Sequence, residues 1–255
     1  MADREPNVHI IRTTVNPEMT RRAELRRDFL VPIYLMWSSD VPSAEAQAAA
    51  QGVYDVVKAS GQNRQVINLG SKAWSNGDYS SADWYLNNAL RMQHEARDKG
   101  HGQQVSVRSI ENQFIEEPWQ ANPHWEVFIV NKDLYMDDTT NFVFGATDSG
   151  FAASVQSVRR FIDEIPEEKF KLEMIRRLLR HEVGHMFGLP GRNFNVEQEQ
   201  KLGSHCTNIC TMRQGMSIPE WAKLTQEESR QNVHFCKDCM DVLAKKKDQF
   251  KPLPH

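Results

Sequence analysis

The chain has 255 residues, 40% of them hydrophobic and 25% charged, with a formal net charge of −3. That length supports one substantial core, or one core with a small annex, and the composition is that of an ordinary soluble globular protein. So balanced a charge gives no reason to expect nucleic acid or an anionic membrane surface as the main partner.

Residues 1–28 are polar and charged, with the Arg-rich stretch RRAELRR, and are expected to be partly disordered. They lack the apolar run and small-residue cleavage site of a secretory signal. The longest apolar run, FLVPIYLMW from Phe29 to Trp37, contains Pro32 and is too short to cross a bilayer. A soluble, cytoplasmic protein is the expectation. The same run reads as a buried strand, and SAEAQAAAQGVYDVVKAS as a helix with Ser43 at its N-cap. RQVINLG reads as a second strand. SADWYLNNALRMQHEARDKG reads as a second helix that stops at Gly100 and puts Trp84, Tyr85 and Leu86 in the core. QVSVRSI and WEVFIVN are two further strand candidates. NFVFGATDSGFAASVQSVRRF, broken at Gly145 and at Asp148-Ser149-Gly150, reads as two strands joined by a turn. Strand candidates with helices among them predict an α/β sheet domain.

A third helix follows Pro166, with Glu167 and Glu168 at its positive end and Gly188 placed to end it in a left-handed conformation. Phe170, Met174, Leu178, His181 and His185 fall along one of its faces. A last helix is expected from near Thr225, with Glu228 completing a capping box, carrying Cys236 and Cys239 into Lys245-Lys246-Lys247. Residues 245–255 read as a flexible tail.

The third helix holds RHEVGHMFGLPGR, Arg180 to Arg192. Residues four apart lie one turn apart on one face, so His181 and His185 can turn ring nitrogens toward a single zinc ion. Glu182 is rotated about 100° from His181, beside such an ion rather than on it. That is the place for a general base that takes a proton from an activated water and passes it to a departing amine. The same five-residue pattern also occurs by accident on structural helices. Its helix placement, Gly188 and the cysteines downstream favour metal.

The four cysteines are Cys206, Cys210, Cys236 and Cys239, two close pairs separated by 25 residues. Two disulfides are the alternative, but with no export signal the spacing favours a tetrahedral thiolate zinc site. A zinc site built on His181 and His185 needs a third protein ligand. Gly191 stands where a sharp turn would deliver one, and the next histidine is His205, followed by Cys206, Cys210 and Met212. Glu197 and Glu199, if NVEQEQKL forms a short helix, are carboxylate alternatives, and His234 is a reserve ligand.

The pieces HEVGHMFG, HCTNICTM and FCKDC, with DLYMDDTTNFVFGATDSGFAASVQSVRRF upstream, resemble the archaemetzincins, a family of metzincin-fold zinc metallopeptidases. The resemblance covers Glu126 to Met240 well, and the amino-terminal half only in its order of elements. It implies a zincin/metzincin-like α/β (α+β) fold: a mixed twisted sheet of about five strands, an active-site helix and a small zinc-bound carboxy-terminal subdomain. It also implies two zinc ions. His181, His185 and His205 would hold the catalytic one, with Glu182 as base and Met212 in a methionine turn beneath it. Cys206, Cys210, Cys236 and Cys239 would hold a structural one, closed to substrate. NFVFGAT, Asn141 to Thr147, would be an edge strand for an extended peptide, an interior strand being the alternative. The implied organisation is a sheet and helix subdomain over 29–188, then a ligand-bearing subdomain over 189–244. The chain departs from the family in two places. Sixteen residues separate Gly188 from His205, where the family has two, and the first cysteine pair is CxxxC, one residue short. A longer loop adds little closure entropy, about 0.6 kcal/mol per doubling. A peptide or small-protein substrate is implied. Rival readings are a zinc-stabilised interaction module with little or no peptidase activity, against which Glu182 weighs, and a nucleic-acid-binding zinc ribbon, against which the acidic balance weighs.

Overall fold

In β1 (Ile33–Trp37) the first four residues are buried, and in β4 (Trp125–Val130) all six are, which requires a cover on both faces of the strand. The computed structural model describes residues 24–73, 81–95, 104–116, 122–136, 140, 142–150, 152–192, 196–199 and 203–253. β1 pairs in parallel with β2 (Val66–Gly70) and with β4, and β4 pairs in parallel with β7 (Ala153–Ser157). β6 (Gly145–Asp148) runs antiparallel to β7 and closes the five-stranded order β2-β1-β4-β7-β6. The expected mixed sheet of five strands is the observed one. The turn between Gly145–Asp148 and Ala153–Ser157 lies where the sequence places it, and β6 is a sheet edge.

Alternation along the strands builds two cores. Ile33, Leu35, Val127 and Ile129 pack with α1 (Ser43–Ser60) and α5 (Glu168–Met186) on one face. Met36, Phe128, Val130 and Val155 pack on the other face with Tyr85 of α2 (Asp83–Glu95) and with Ile110 and Phe114 of α3 (Val107–Glu116). The first core continues through α4 (Arg159–Glu164) into Cys206, Met212, Trp221 and Leu243, so the carboxy-terminal segment shares it.

Several expectations are corrected. QVSVRSI is not a strand: only Val105–Ser106 (β3) pairs, with Leu134–Tyr135 (β5), and α3 begins at Val107. Val107, Ile110 and Phe114 repeat at helical spacing and are fully buried, which outweighs the short alternation before them. Tyr85 and Leu86 are core, but Trp84, one position round the helix, is 39% exposed. Pro42, not Ser43, holds the N-cap position of α1, with no side-chain bond. Glu167 caps α5, its carboxylate accepting the Phe170 N–H at 2.7 Å, with Pro166 just outside. The last helix is two helices. α6 (Ile218–Gln231) starts at Ser217, with Pro219 in its first turn, and stops at Asn232 in the left-handed region. α7 (Lys237–Lys246) follows, with Cys236 at its cap. Thr225 therefore sits inside a helix and donates to the Trp221 carbonyl at 2.7 Å.

Gly100 and residues 1–23 lie outside the described residues. Arg26, within the leading segment expected to be partly disordered, is buried, and its carbonyl accepts the Trp125 indole N–H at 2.9 Å. The tail is paired as far as Lys251, whose carbonyl accepts Leu30 N–H at 2.7 Å. Among the described residues no helix is long and apolar enough to cross a membrane.

α1 crosses α5 at Gly52, where a Cβ would run into the Arg176 carbonyl oxygen and lie 2.7 Å from the Leu179 Cβ. Glycine to alanine inside a helix normally stabilises by about 1 kcal/mol. Gly52→Ala should do the opposite, lowering stability by about 1–3 kcal/mol through overpacking. A urea-unfolding midpoint equal to or above wild type would refute this crossing.

Candidate active site

The apolar face of α5 that carries Met174 and Leu178 into the core also carries His181 and His185 to its carboxyl end. There their Nε2 atoms approach to 3.2 Å. Each ring is turned by a backbone carbonyl: His181 Nδ1 donates to Thr211 O at 2.8 Å, and His185 Nδ1 to Leu189 O at 3.0 Å. A carbonyl only accepts, so Nδ1 carries the proton and Nε2 presents a lone pair. Gly188, at φ +79°, ends the helix as expected and lets the chain turn back so that Leu189 reaches His185.

The long connection then returns as a hairpin. β8 (Val196–Glu199) pairs antiparallel with β9 (Gly203–Cys206), Glu197 opposite His205. NVEQEQKL is thus strand rather than helix in its described part. Its pairing partner lies beyond Glu199, and a helical reading of the segment alone does not see it. β9 delivers His205, 4% exposed, with ring centroids 5.2 Å from His181 and 5.1 Å from His185. One ligand nitrogen from each ring lies within 4.8 Å of the others. Glu197 and His234 are exposed and stand outside that group, and the Glu199 side chain lies outside the described residues.

These residues fit a metal ion. Tetrahedral zinc with bonds of about 2.0–2.1 Å to nitrogen separates two ligand nitrogens by about 3.3 Å. Two lone pairs facing each other at 3.2 Å, in a buried place, repel unless a cation lies between them. Burial above all, then mutual repulsion, depresses the histidines: His181 falls well below its ordinary value, and His205 to about 4. His185 is also lowered, by burial.

Glu182 faces the same cavity of about 540 Å³ as the three histidines, together with Gly145, Ala146 and Thr147 of β6. Burial raises its carboxyl to about 7, opposed by a hydrogen bond from Thr147 Oγ1 at 2.9 Å. Met212 is fully buried beneath the motif helix, where a Cβ on Gly184 would stand 2.5 Å from its sulfur. Asn141 lies outside the described residues.

The four cysteines are free thiols and form a second group, their sulfurs within 4.8 Å of one another. Cys206 and Cys236 sulfurs are 3.7 Å apart, and Cys210 and Cys239 3.6 Å. Thiol donation within the cluster, from Cys210 first, pushes Cys206 and Cys236 down, and the same contacts, with Cys206 first, push Cys210 and Cys239 up. Cys236 N–H points at the Cys210 sulfur at 3.4 Å, and Asn208 Nδ2 at the Cys236 sulfur at 3.5 Å. Donors aimed at sulfur and a helix N-terminus at Cys236 suit thiolates that share a cation. The groups are joined by chain: His205 adjoins Cys206, and Thr211, which receives His181, adjoins Cys210.

Residues 123–245 match the model of peptidase family M54. The match covers just under half of the chain. Three curated archaemetzincins are similar to it. The Methanopyrus kandleri protein is 30% identical over 118 residues, covering 46% of this chain and 54% of its own length. Those of Pyrococcus furiosus and Pyrococcus horikoshii are 28% and 29% identical, each covering 46% of this chain and 53% of its own length. The chain thus spans about half the length of the curated relatives it matches. The M54 segment runs from just before β4 into α7 and contains both ligand groups. The mixed sheet and the helix that carries His181 and His185 are consistent with a metzincin-like peptidase fold, and the elements from β1 to α3 precede the matched segment.

Reading from sequence gave no site role to Thr147, Thr211, Arg177 or Glu228: Thr147 bonds Glu182, Thr211 bonds His181, and Arg177 and Glu228 connect to His181 through Thr211. Arg177 alone left a signal: a charge four residues before His181, on the face that is otherwise apolar.

In the metal-free protein the buried histidines should make stability depend on pH. Their depressed pKa values give stability that is complete above the ordinary 6.5 and lost as pH falls toward about 4, the His205 value. Glu182, raised from 4.5 to about 7, acts in the opposite sense, its contribution vanishing as pH rises through 7. Three groups outweigh one, so the denaturation midpoint of chelated protein should drop between pH 6.5 and 4. Glu182→Gln should steepen that drop and His205→Asn flatten it; a midpoint indifferent to both substitutions would contradict the assignment.

Proposed function

We propose that the protein is a zinc-dependent metallopeptidase that hydrolyses peptide bonds in peptides or small proteins. The observation that carries this reading is the placing of three imidazoles and one buried carboxylate around a single cavity beside a sheet edge. The match of residues 123–245 to peptidase family M54 supports it. His181, His185 and His205 hold the catalytic zinc, which supplies a Lewis acid that polarises a peptide carbonyl and acidifies a water molecule.

The chain's own groups do the rest. The outer edge of β6 takes an extended peptide as a further strand and lays its carbonyl over the histidines. Thr147, on that same strand, holds the Glu182 carboxylate in place through its hydroxyl. Glu182 receives a proton from water as the new C–O bond forms, then gives it to the amine nitrogen as the C–N bond breaks. Its burial, which raises its pKa to about 7, suits it to both halves of that transfer. The Thr211 and Leu189 carbonyls keep two of the imidazoles in the tautomer that can ligate.

Cys206, Cys210, Cys236 and Cys239 hold a second, structural zinc. Four sulfurs leave no position for substrate, and the site pins α7 to the strand that bears His205. Four thiolate ligands suit a reducing, cytoplasmic setting.

Elemental analysis with a peptide-hydrolysis assay tests this reading. Wild type should carry about two zinc ions, one for each ligand group. Glu182→Gln should keep both and lose turnover by about 10²–10⁴-fold. His205→Ala should lose one ion and keep the structural one, while Cys236→Ser should lower stability. Full activity in Glu182→Gln would rule out the assigned base. A single ion in wild type, unchanged by His205→Ala, would support a structural zinc module instead.

A further inference from the structure

Arg177 is a fully buried charge on the motif helix, one turn before His181, and its hydrogen bonds go to Glu228 and to backbone carbonyls rather than to a ligand side chain. Its Nε donates to Glu228 Oε1 at 2.6 Å. Its Nη2 reaches the carbonyls of Arg213 at 2.9 Å, Thr211 at 3.2 Å and, more distantly, Cys210 at 3.5 Å. Its guanidinium lies 4.3 Å from the centre of the Trp221 ring, which in turn meets the His181 ring edge to face at 5.5 Å. Glu228, also buried, uses its other oxygen to accept the Thr211 hydroxyl at 2.8 Å. Thr211 is therefore gripped twice by one ion pair, at its hydroxyl by Glu228 and at its carbonyl by Arg177. That same carbonyl accepts His181 Nδ1 at 2.8 Å.

We infer that Arg177, with Glu228 as its counter-ion, is a positioning residue that fixes the Thr211 carbonyl and, through it, the imidazole of His181. The inference rests on the metallopeptidase reading of the three histidines. A buried ion pair is poor evidence of stabilisation, because apolar residues of similar volume often do as well. What such residues cannot do is satisfy the carbonyls of a turn that faces inward. Without Arg177 the Arg213 carbonyl would carry a desolvation penalty, and the Thr211 carbonyl would keep only the His181 donor. With two donors converging on the Thr211 oxygen, its direction is set, and so is the rotation of the His181 ring that donates to it. Second-sphere partners of this kind typically govern metal affinity by about 10–100-fold. The Cys210 and Thr211 contacts also place this clamp between the sulfur group and the histidine group.

The test uses the full chain with its cysteine group first filled with zinc and cobalt(II) then titrated into the histidine group. Cobalt affinity and the visible ligand-field band are read, with thermal unfolding as a check on folding. Arg177→Lys keeps the charge but cannot span the carbonyls and Glu228 together. Thr211→Val removes the hydroxyl grip at nearly constant shape, and Thr211→Ser restores it. Arg177→Lys and Thr211→Val should weaken cobalt binding by about tenfold or more and shift the band, while Thr211→Ser should resemble wild type. If Arg177→Lys fails to fold, the two Thr211 variants decide. Folded Arg177→Lys or Thr211→Val protein with wild-type affinity and band would overturn the positioning role and leave the metallopeptidase reading intact. Wild type that takes up no cobalt at the histidines would instead overturn that reading, and this inference with it.

Discussion

Two imidazole nitrogens that face one another with lone pairs at 3.2 Å, away from water, repel, and the surrounding structure has to hold them there. It does so from behind. The Thr211 and Leu189 carbonyls fix the outer nitrogens of His181 and His185, and the hairpin ending at Cys206 brings the third ring in from the opposite side. Without these constraints the rings would rotate apart or take up protons. With them, the site is poised for a cation and is costly to leave without one. The depressed histidine pKa values and the raised Glu182 value express one arrangement, in which burial disfavours charge on each of these groups.

The fold makes this arrangement by stacking rather than by local sequence alone. α5 is pressed onto the sheet by the same apolar residues that pack α1, so the end bearing His181 and His185 has little freedom. β6, held antiparallel at the sheet edge, brings Thr147 to Glu182. The buried pair Arg177–Glu228 joins the motif helix to α6 and to the turn carrying Met212. Arg180, bonded to Asp55 and Glu173, ties the same helix to α1. Each connection reaches the motif helix within about one turn of His181, and buried ion pairs of this kind are weak evidence of net stability.

What was legible in the sequence follows from range. His181, Glu182 and His185 are set by a helical repeat of four residues, and Gly188 by the left-handed turn it adopts, both of which are local rules. The paired cysteines and His205 were legible through their motif, although sixteen residues intervene between Gly188 and His205. The hairpin that spans this interval was not, because strand pairing depends on a partner rather than on the segment's own propensity. The break at Asn232 was hidden by a capping-box pattern at Thr225 and Glu228, but Thr225 bonds back to Trp221 within its own helix and Glu228 bonds Thr211 across the core. Arg177 and Glu228 are 51 residues apart, and no periodicity links them.

The central claim is that one ion joins three imidazoles while a second joins four sulfurs. Anomalous scattering at the zinc absorption edge, from crystals of protein loaded with zinc, tests it most directly. Two peaks are expected, one bonded to His181, His185 and His205 and one enclosed by Cys206, Cys210, Cys236 and Cys239. A peak at the sulfurs alone, or an ion at His181 and His185 with the ring of residue 205 turned away, would contradict it.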